Sequence, residues 1–254
     1  MKYFYKQLKN KENKILRGVL NTPDDFSEDK KYKTIIMFHG FGGDRNGSSF
    51  FRTDNAKFFT KKGYIVFRYD FSGSGESEGD FYDMTLSREI EEANMIYDDI
   101  VKQEFVLDNE ITLYGHSLGG VISVILAERV NVKNLILLAP AVNLNDVNEE
   151  SEKAKKELIS KAYDDGFDIG GKIISYNFLK DAKKYDIYSY AQSFEQNVLI
   201  LRGEEDIIVN DHCNKKLSKI YKKASYHVIE NADHSFRDYY AREKCYELMD
   251  KFLK

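Results

Sequence analysis

The sequence predicts an α/β fold built on a mostly parallel central sheet flanked by helices, and three features predict it. Short apolar runs at 34–38 (TIIMF), 64–69 (YIVFRY), 132–139 (VKNLILLA) and 197–201 (NVLIL) read as strands buried on both faces. Longer segments with helical apolar spacing lie between them, as at Leu86, Ile90, Ala93, Ile96 and Ile100. Turn-forming, glycine-rich stretches follow several of the strands. Alternation of this kind gives right-handed crossovers and places ligands beyond the carboxyl ends of the strands. A chain of 254 residues without an internal repeat is a normal size for one such domain, 1–254.

In chain order, 2–9 and 14–21 alternate apolar and polar residues and predict a hairpin turning at 10–13. Residues 22–25 (TPDD) form a turn, and the charged stretch to Lys33 is loop. After the 34–38 strand comes the glycine loop His39-Gly40-Phe41-Gly42-Gly43, then a helix over 50–62. The 64–69 strand leads into the loop 70–79, and 85–104 predicts a helix. A strand at 111–114 runs into the apolar helix that follows Ser117. Residues 140–190 break the alternation with a charged helical stretch (146–163), a glycine-containing loop (166–171) and a segment rich in Tyr and Phe. Strand, helix, strand and helix then return at 197–201, 210–222, 225–229 and 238–253.

Composition narrows the function. Hydrophobic residues make up 42% and charged residues 31%, the balance of a globular protein, and the net charge of −4 comes without any Lys/Arg run suited to nucleic acid. No apolar run is long enough to span a membrane, and the first residues lack a secretion signal, so a cytoplasmic protein is expected. Cys213 and Cys245 sit in no CxxC or Cys/His cluster, so free thiols rather than a disulfide or zinc site are expected.

The informative stretch is 111–126, in which Gly115-His116-Ser117-Leu118-Gly119 links a strand to a helix. This is the G-x-S-x-G pattern in the context its chemistry requires. A serine on so tight a turn needs small neighbours, and the first N–H groups of the helix then face any anion formed beside it. Ser117 is therefore the candidate nucleophile, and it needs a base. Of five histidines, His39 adjoins the glycine loop and braces it, His116 is next to Ser117 and must point elsewhere, and His212 falls on a surface helix. His227 falls inside a strand, which leaves His234, in the loop after the last strand, as the base. The carboxylate that would orient it lies in Arg202-Gly203-Glu204-Glu205-Asp206, where Asp206 is best placed and Glu204 and Glu205 are its rivals. Oxyanion donors are expected from the backbone N–H groups of Leu118 and Phe41. No metal or organic cofactor is required.

Two other glycine-rich stretches imitate nucleotide sites. Residues 73–79 (GSGESEG) are one residue too long for a dinucleotide fingerprint and carry acids that would repel a pyrophosphate. Residues 166–173 (GFDIGGKI) end in Ile173 where a P-loop needs Ser or Thr, and no strand precedes them.

Taken together, HGFGG, RYDFSGSGESEGDF, ITLYGHSLGG, LLAPA (137–141), DIYSYAQSF (186–194), RGEEDIIV and ENADHSF resemble the α/β-hydrolase superfamily, and within it the bacterial cinnamoyl (feruloyl) esterases. The resemblance runs from about residue 15 to the end. It implies an α/β-hydrolase fold with an inserted lid, here 141–190, and release of hydroxycinnamic acids from small ester substrates. It also implies that an acidic residue and a tyrosine of the insert hold the aromatic hydroxyl, for which Asp146 and Tyr176 are the nearest candidates. Leu118 departs from the pattern, since close relatives often carry Gln there. The backbone donor survives that change, but a side-chain contact does not. Rival readings are a lipase-like or aminopeptidase-like hydrolase of the same fold, or a hydrolase-fold ligand receptor without catalysis. The final helix leaves a homodimer open.

Overall fold

The computed structural model describes residues 1–145, 162–163 and 166–254. Among these, the main sheet has eight strands in the order β1-β2-β4-β3-β5-β6-β10-β11. They are β1 (Lys2–Lys9), β2 (Ile15–Thr22), β3 (Tyr32–Phe38), β4 (Ile65–Tyr69), β5 (Val106–His116), β6 (Asn134–Leu138), β10 (Asn197–Gly203) and β11 (Ala224–Ile229). From β4 to β11 every neighbouring pair is parallel, and β1 and β2 join as an antiparallel extension.

Helices cover both faces, as a parallel sheet requires. Successive residues of β3 show the division. Ile36 and Phe38 pack with α2 (Leu86–Ile100), α3 (Leu118–Ala127) and Leu217. Ile35 and Met37 pack on the other face with Phe51 and Phe59 of α1 (Phe51–Lys61) and with Ala241, Cys245 and Met249. The two-residue period of a strand thus feeds two cores at once. Both cysteines are buried, and neither is in a disulfide.

Between β6 and β10 the chain leaves the main sheet. The described part carries a three-stranded antiparallel sheet of β7 (Ala162–Tyr163), β8 (Gly166–Asp168) and β9 (Ile173–Ser175). Two short helices follow, α4 (Asn177–Ala182) and α5 (Ile187–Ser193), and after β10 come α6 (Asp211–Ile220) and α7 (Tyr239–Phe252).

Three expectations need correction. Of the loop expected over 166–171, Gly166–Asp168 is instead strand β8, in which Phe167 pairs with Ile174, and only 169–171 remain as its turn, with Gly170 and Gly171 both at φ of 93°. The glycines that suggested irregular chain make a hairpin possible there. The helical stretch expected over 146–163 ends in strand β7 at its described end, and the rest of it lies outside the described residues. The helix expected over 85–104 stops at Ile100, since the chain must turn before β5. Its start is fixed by Thr85, whose hydroxyl accepts from the Arg88 N–H at 3.2 Å.

One buried acid gives a pH-dependent prediction. Glu89 on α2 is 3% exposed, and its Oε2 has no hydrogen-bond partner. The neighbouring Glu92 accepts from the Asn10 side chain at 2.8 Å and from the Ser72 N–H at 2.9 Å. Burial first, and Glu92 second, push the Glu89 carboxyl well above its ordinary 4.5. The folded protein therefore holds a proton that the unfolded chain releases above that pH, so this residue lowers stability as pH rises from there. Glu89→Gln is expected to raise Tm at pH 8 by about 2–4 °C. The gain should vanish below the unfolded carboxyl's titration, and a variant less stable than wild type at pH 8 would contradict the assignment.

Candidate active site

The turn after β5 carries Ser117 at φ 55° and ψ −118°, a conformation that costs a non-glycine residue free energy. The surrounding hydrogen bonds hold it there. The Ser117 N–H donates to the Leu138 carbonyl at 2.9 Å, and its own carbonyl accepts from Gly120 at 2.9 Å and Ala141 at 3.1 Å. A Cβ at Gly119 would lie 2.3 Å from the Phe38 carbonyl oxygen, and one at Gly115 would lie 2.2 Å from that of Gly119. Both positions are thus closed to side chains, as the motif anticipates.

The loop after β3 packs directly on this turn, since a Cβ at Gly40 would meet the Ser117 Cβ at 3.0 Å. His39 braces the loop as expected. Its Nε2 accepts from the Phe71 N–H at 3.0 Å, so its Nδ1 carries the proton and donates to the Gly40 carbonyl at 2.9 Å. Burial, with Arg52 nearby, lowers its pKa to about 4. Leu118 opens α3, so its N–H has no acceptor within the helix. Among the described residues the Phe41 N–H has none either.

Asp206 and His234 meet across the turns after β10 and β11, with Nδ1 and Oδ2 2.8 Å apart. The other Asp206 oxygen accepts from the N–H groups of Ile208 at 2.8 Å and Val209 at 3.0 Å, which fixes the carboxylate in its turn. Burial alone would raise this carboxyl. The His234 ring and the two N–H groups outweigh burial and leave it below its ordinary value. Glu204 and Glu205 are exposed. The His234 and His116 rings lie 5.1 Å apart, centre to centre, so the base candidate stands beside the serine turn.

Beside the same turn the Phe41 ring packs against Phe81 at 5.6 Å and Phe178 at 5.1 Å. The tip of the β8–β9 hairpin reaches over the glycine loop, with Ile169 3.6 Å from where a Gly42 Cβ would sit. Tyr176 is half-buried at the start of α4, its ring 5.9 Å from that of Phe167. Asp146 lies outside the described residues. Among those residues no group of three or more His, Cys, Asp or Glu side chains could hold a metal ion, and no helix is long and apolar enough to cross a membrane.

Two residues near the serine turn escaped sequence reasoning in their contacts. Arg52, 4% exposed on α1, donates through Nη1 to His116 Nδ1 at 3.3 Å, and His116 donates through Nε2 to the His234 carbonyl at 2.8 Å. Burial first, then the charges of His234 and Arg52, hold the His116 pKa at about 3. No spacing or composition signal marks Arg52, because its partners are brought to it only by the tertiary fold.

The sheet order and the strand–serine–helix turn are those of an α/β-hydrolase, and its relatives make it one of the esterase, lipase and thioesterase type. The model of the family described as "Serine aminopeptidase, S33" matches residues 29–167, and the chain belongs to that family. An inferred esterase/lipase of Mycoplasma pneumoniae is 25% identical, the alignment covering 90% of this chain and 91% of that one. The mitochondrial palmitoyl-protein thioesterase ABHD10 of Homo sapiens is 25% identical over 80% of this chain and 67% of its own. The lysophosphatidylserine lipase ABHD12 of Gallus gallus is 28% identical over 82% of this chain, which spans only 50% of that longer protein. Among solved structures, Est1E of Butyrivibrio proteoclasticus with ferulic acid bound superposes with a TM-score of 0.83 at 25% identity, covering 98% of this chain and 99% of that one.

Proposed function

We propose that the protein is a serine carboxylesterase acting on hydroxycinnamoyl (feruloyl) esters through an acyl-enzyme. Ser117 attacks the ester carbonyl while His234 takes its proton, and Asp206 holds the ring in the Nδ1–H tautomer and stabilises the imidazolium. The Phe41 and Leu118 N–H groups receive the oxyanion. His234 then protonates the leaving alcohol and activates the water that releases the acid. The observation that carries this reading is the Asp206–His234 pair at 2.8 Å beside a serine held at positive φ. The aromatic preference draws on the Phe41, Phe81 and Phe178 cluster and on the similarity to Est1E with its ferulic acid. The segment 141–190 acts as the lid of this site, and Tyr176 is its contact to the phenolic hydroxyl.

The test is kcat/KM on methyl ferulate, p-nitrophenyl acetate, a monoacylglycerol and an aminoacyl anilide. Methyl ferulate is expected to lead. Tyr176→Phe should raise KM for methyl ferulate by about tenfold, the worth of one hydrogen bond, and leave p-nitrophenyl acetate unchanged. Preference for the monoacylglycerol would move the assignment to a lipase. Preference for the anilide would move it to the aminopeptidase activity in the family's description.

A further inference from the structure

We propose that Arg52 and His116 form a positioning relay for the base, fixing the backbone of the His234 loop relative to the nucleophile; the inference rests on the catalytic reading above. An arginine N–H can only donate, so His116 Nδ1, 3.3 Å from Arg52 Nη1, must accept. That fixes the imidazole proton on Nε2, where it donates to the His234 carbonyl at 2.8 Å. The tautomer is thus set by a group that does not lose its charge. With His116 titrating only near pH 3, the relay keeps the same form at every pH where the site could work.

Arg52 is itself anchored. Its Nε and Nη2 both donate to the Asp44 carbonyl, at 2.9 and 2.5 Å, just beyond the glycine loop that holds Phe41. One guanidinium and one imidazole therefore connect three separate turns: that of the oxyanion donor Phe41, that of Ser117 and that of His234. The last of these contains two residues at positive φ, Asn231 at 56° and Phe236 at 52°, and a bond from outside adds fastening to the turn's own hydrogen bonds around Asp233. His116 supplies that fastening at the residue that bears the base. The side chain at the second position of the G-x-S-x-G turn is thus a positioning group that contacts no reacting atom.

The test compares His116→Leu, His116→Gln and Arg52→Met by the rate of fluorophosphonate labelling and by steady-state kinetics on p-nitrophenyl acetate. Loss of the N–H should let the base drift, so His116→Leu is expected to slow labelling and kcat by about 10–100-fold, with KM within about twofold. Glutamine offers an N–H to the carbonyl and an oxygen to the guanidinium, and should recover to within about threefold of wild type. Arg52→Met keeps the imidazole but frees its tautomer, and should also be slow. A His116→Leu enzyme as fast as wild type would overturn the relay, as would His116→Gln no faster than His116→Leu. Where His116→Leu does not fold, wild-type rates in Arg52→Met would overturn it. A wild type that resists labelling sinks the catalytic reading itself, whereas a labelled wild type with unaffected variants sinks only the relay.

Discussion

Ser117→Ala is expected to lower kcat on every hydrolysed ester by about 10⁴–10⁶-fold while leaving the fold intact. The size follows from the division of labour in the site. On the proposed mechanism no acyl-enzyme forms without the hydroxyl, so His234 and the oxyanion donors have no nucleophile to serve. What remains is substrate binding and polarisation of the carbonyl by N–H groups, which leaves a residual rate above that in water. Stability should hold, because alanine meets the same penalty as serine at φ 55°. The Ser117 N–H and carbonyl bonds to Leu138, Gly120 and Ala141 belong to the main chain and survive the change. Single-turnover kinetics with p-nitrophenyl acetate and covalent labelling with a fluorophosphonate read the result. A variant that keeps more than about a tenth of wild-type kcat, or that still labels, would remove Ser117 from the mechanism.

The second large effect concerns stability. Asp70, just after β4, is wholly buried. One of its oxygens accepts from the Arg45 N–H at 2.6 Å, and the other pairs with the Arg45 guanidinium and accepts from the Glu76 N–H at 3.1 Å. Its carbonyl accepts from the Ser77 hydroxyl at 2.7 Å. A single carboxylate thus fastens the loop after β3 to the loop after β4. Asp70→Ala leaves the guanidinium of Arg45, itself 8% exposed, with the more exposed Glu76 as its remaining carboxylate partner, and should cost about 3 kcal/mol of unfolding free energy. Urea denaturation measures it as a lower midpoint at unchanged slope. The double variant Asp70→Leu with Arg45→Met should lose less than Asp70→Ala, because the cost lies in a buried charge left with only half of its partners rather than in the absent pair. Equal losses would mean that packing of the loop, not its charge, sets the stability.

Local sequence pattern carried the architecture a long way. The central strands β3, β4, β6 and β10 announced themselves as apolar runs, and glycines marked the turns after β3, β5 and β10 where site candidates gather. Asp206 was chosen by its place in the turn after its strand and His234 by position and elimination, and the structure brings the two side chains within 2.8 Å of each other. The hairpin at Gly166–Ser175 was not legible, because two adjacent glycines look the same in a loop and in a tight turn, and only the pairing of Phe167 with Ile174 separates the cases. His116 was read as a side chain that merely had to point away from Ser117. Its real partner is far along the chain, and no periodicity encodes a contact between an imidazole and a distant carbonyl.

That distance bears on synthesis. The contact from His116 to His234 spans 118 residues, and β11, which delivers His234, pairs only with β10 among the described strands. A ribosome-bound chain can complete the β3–β5–β6 centre of the sheet, with Ser117 already held at its turn, well before β10 and β11 emerge. Until they dock, the nascent protein would carry the proposed nucleophile without its proposed base. On the proposed mechanism, acyl transfer would begin only once the last two strands have docked.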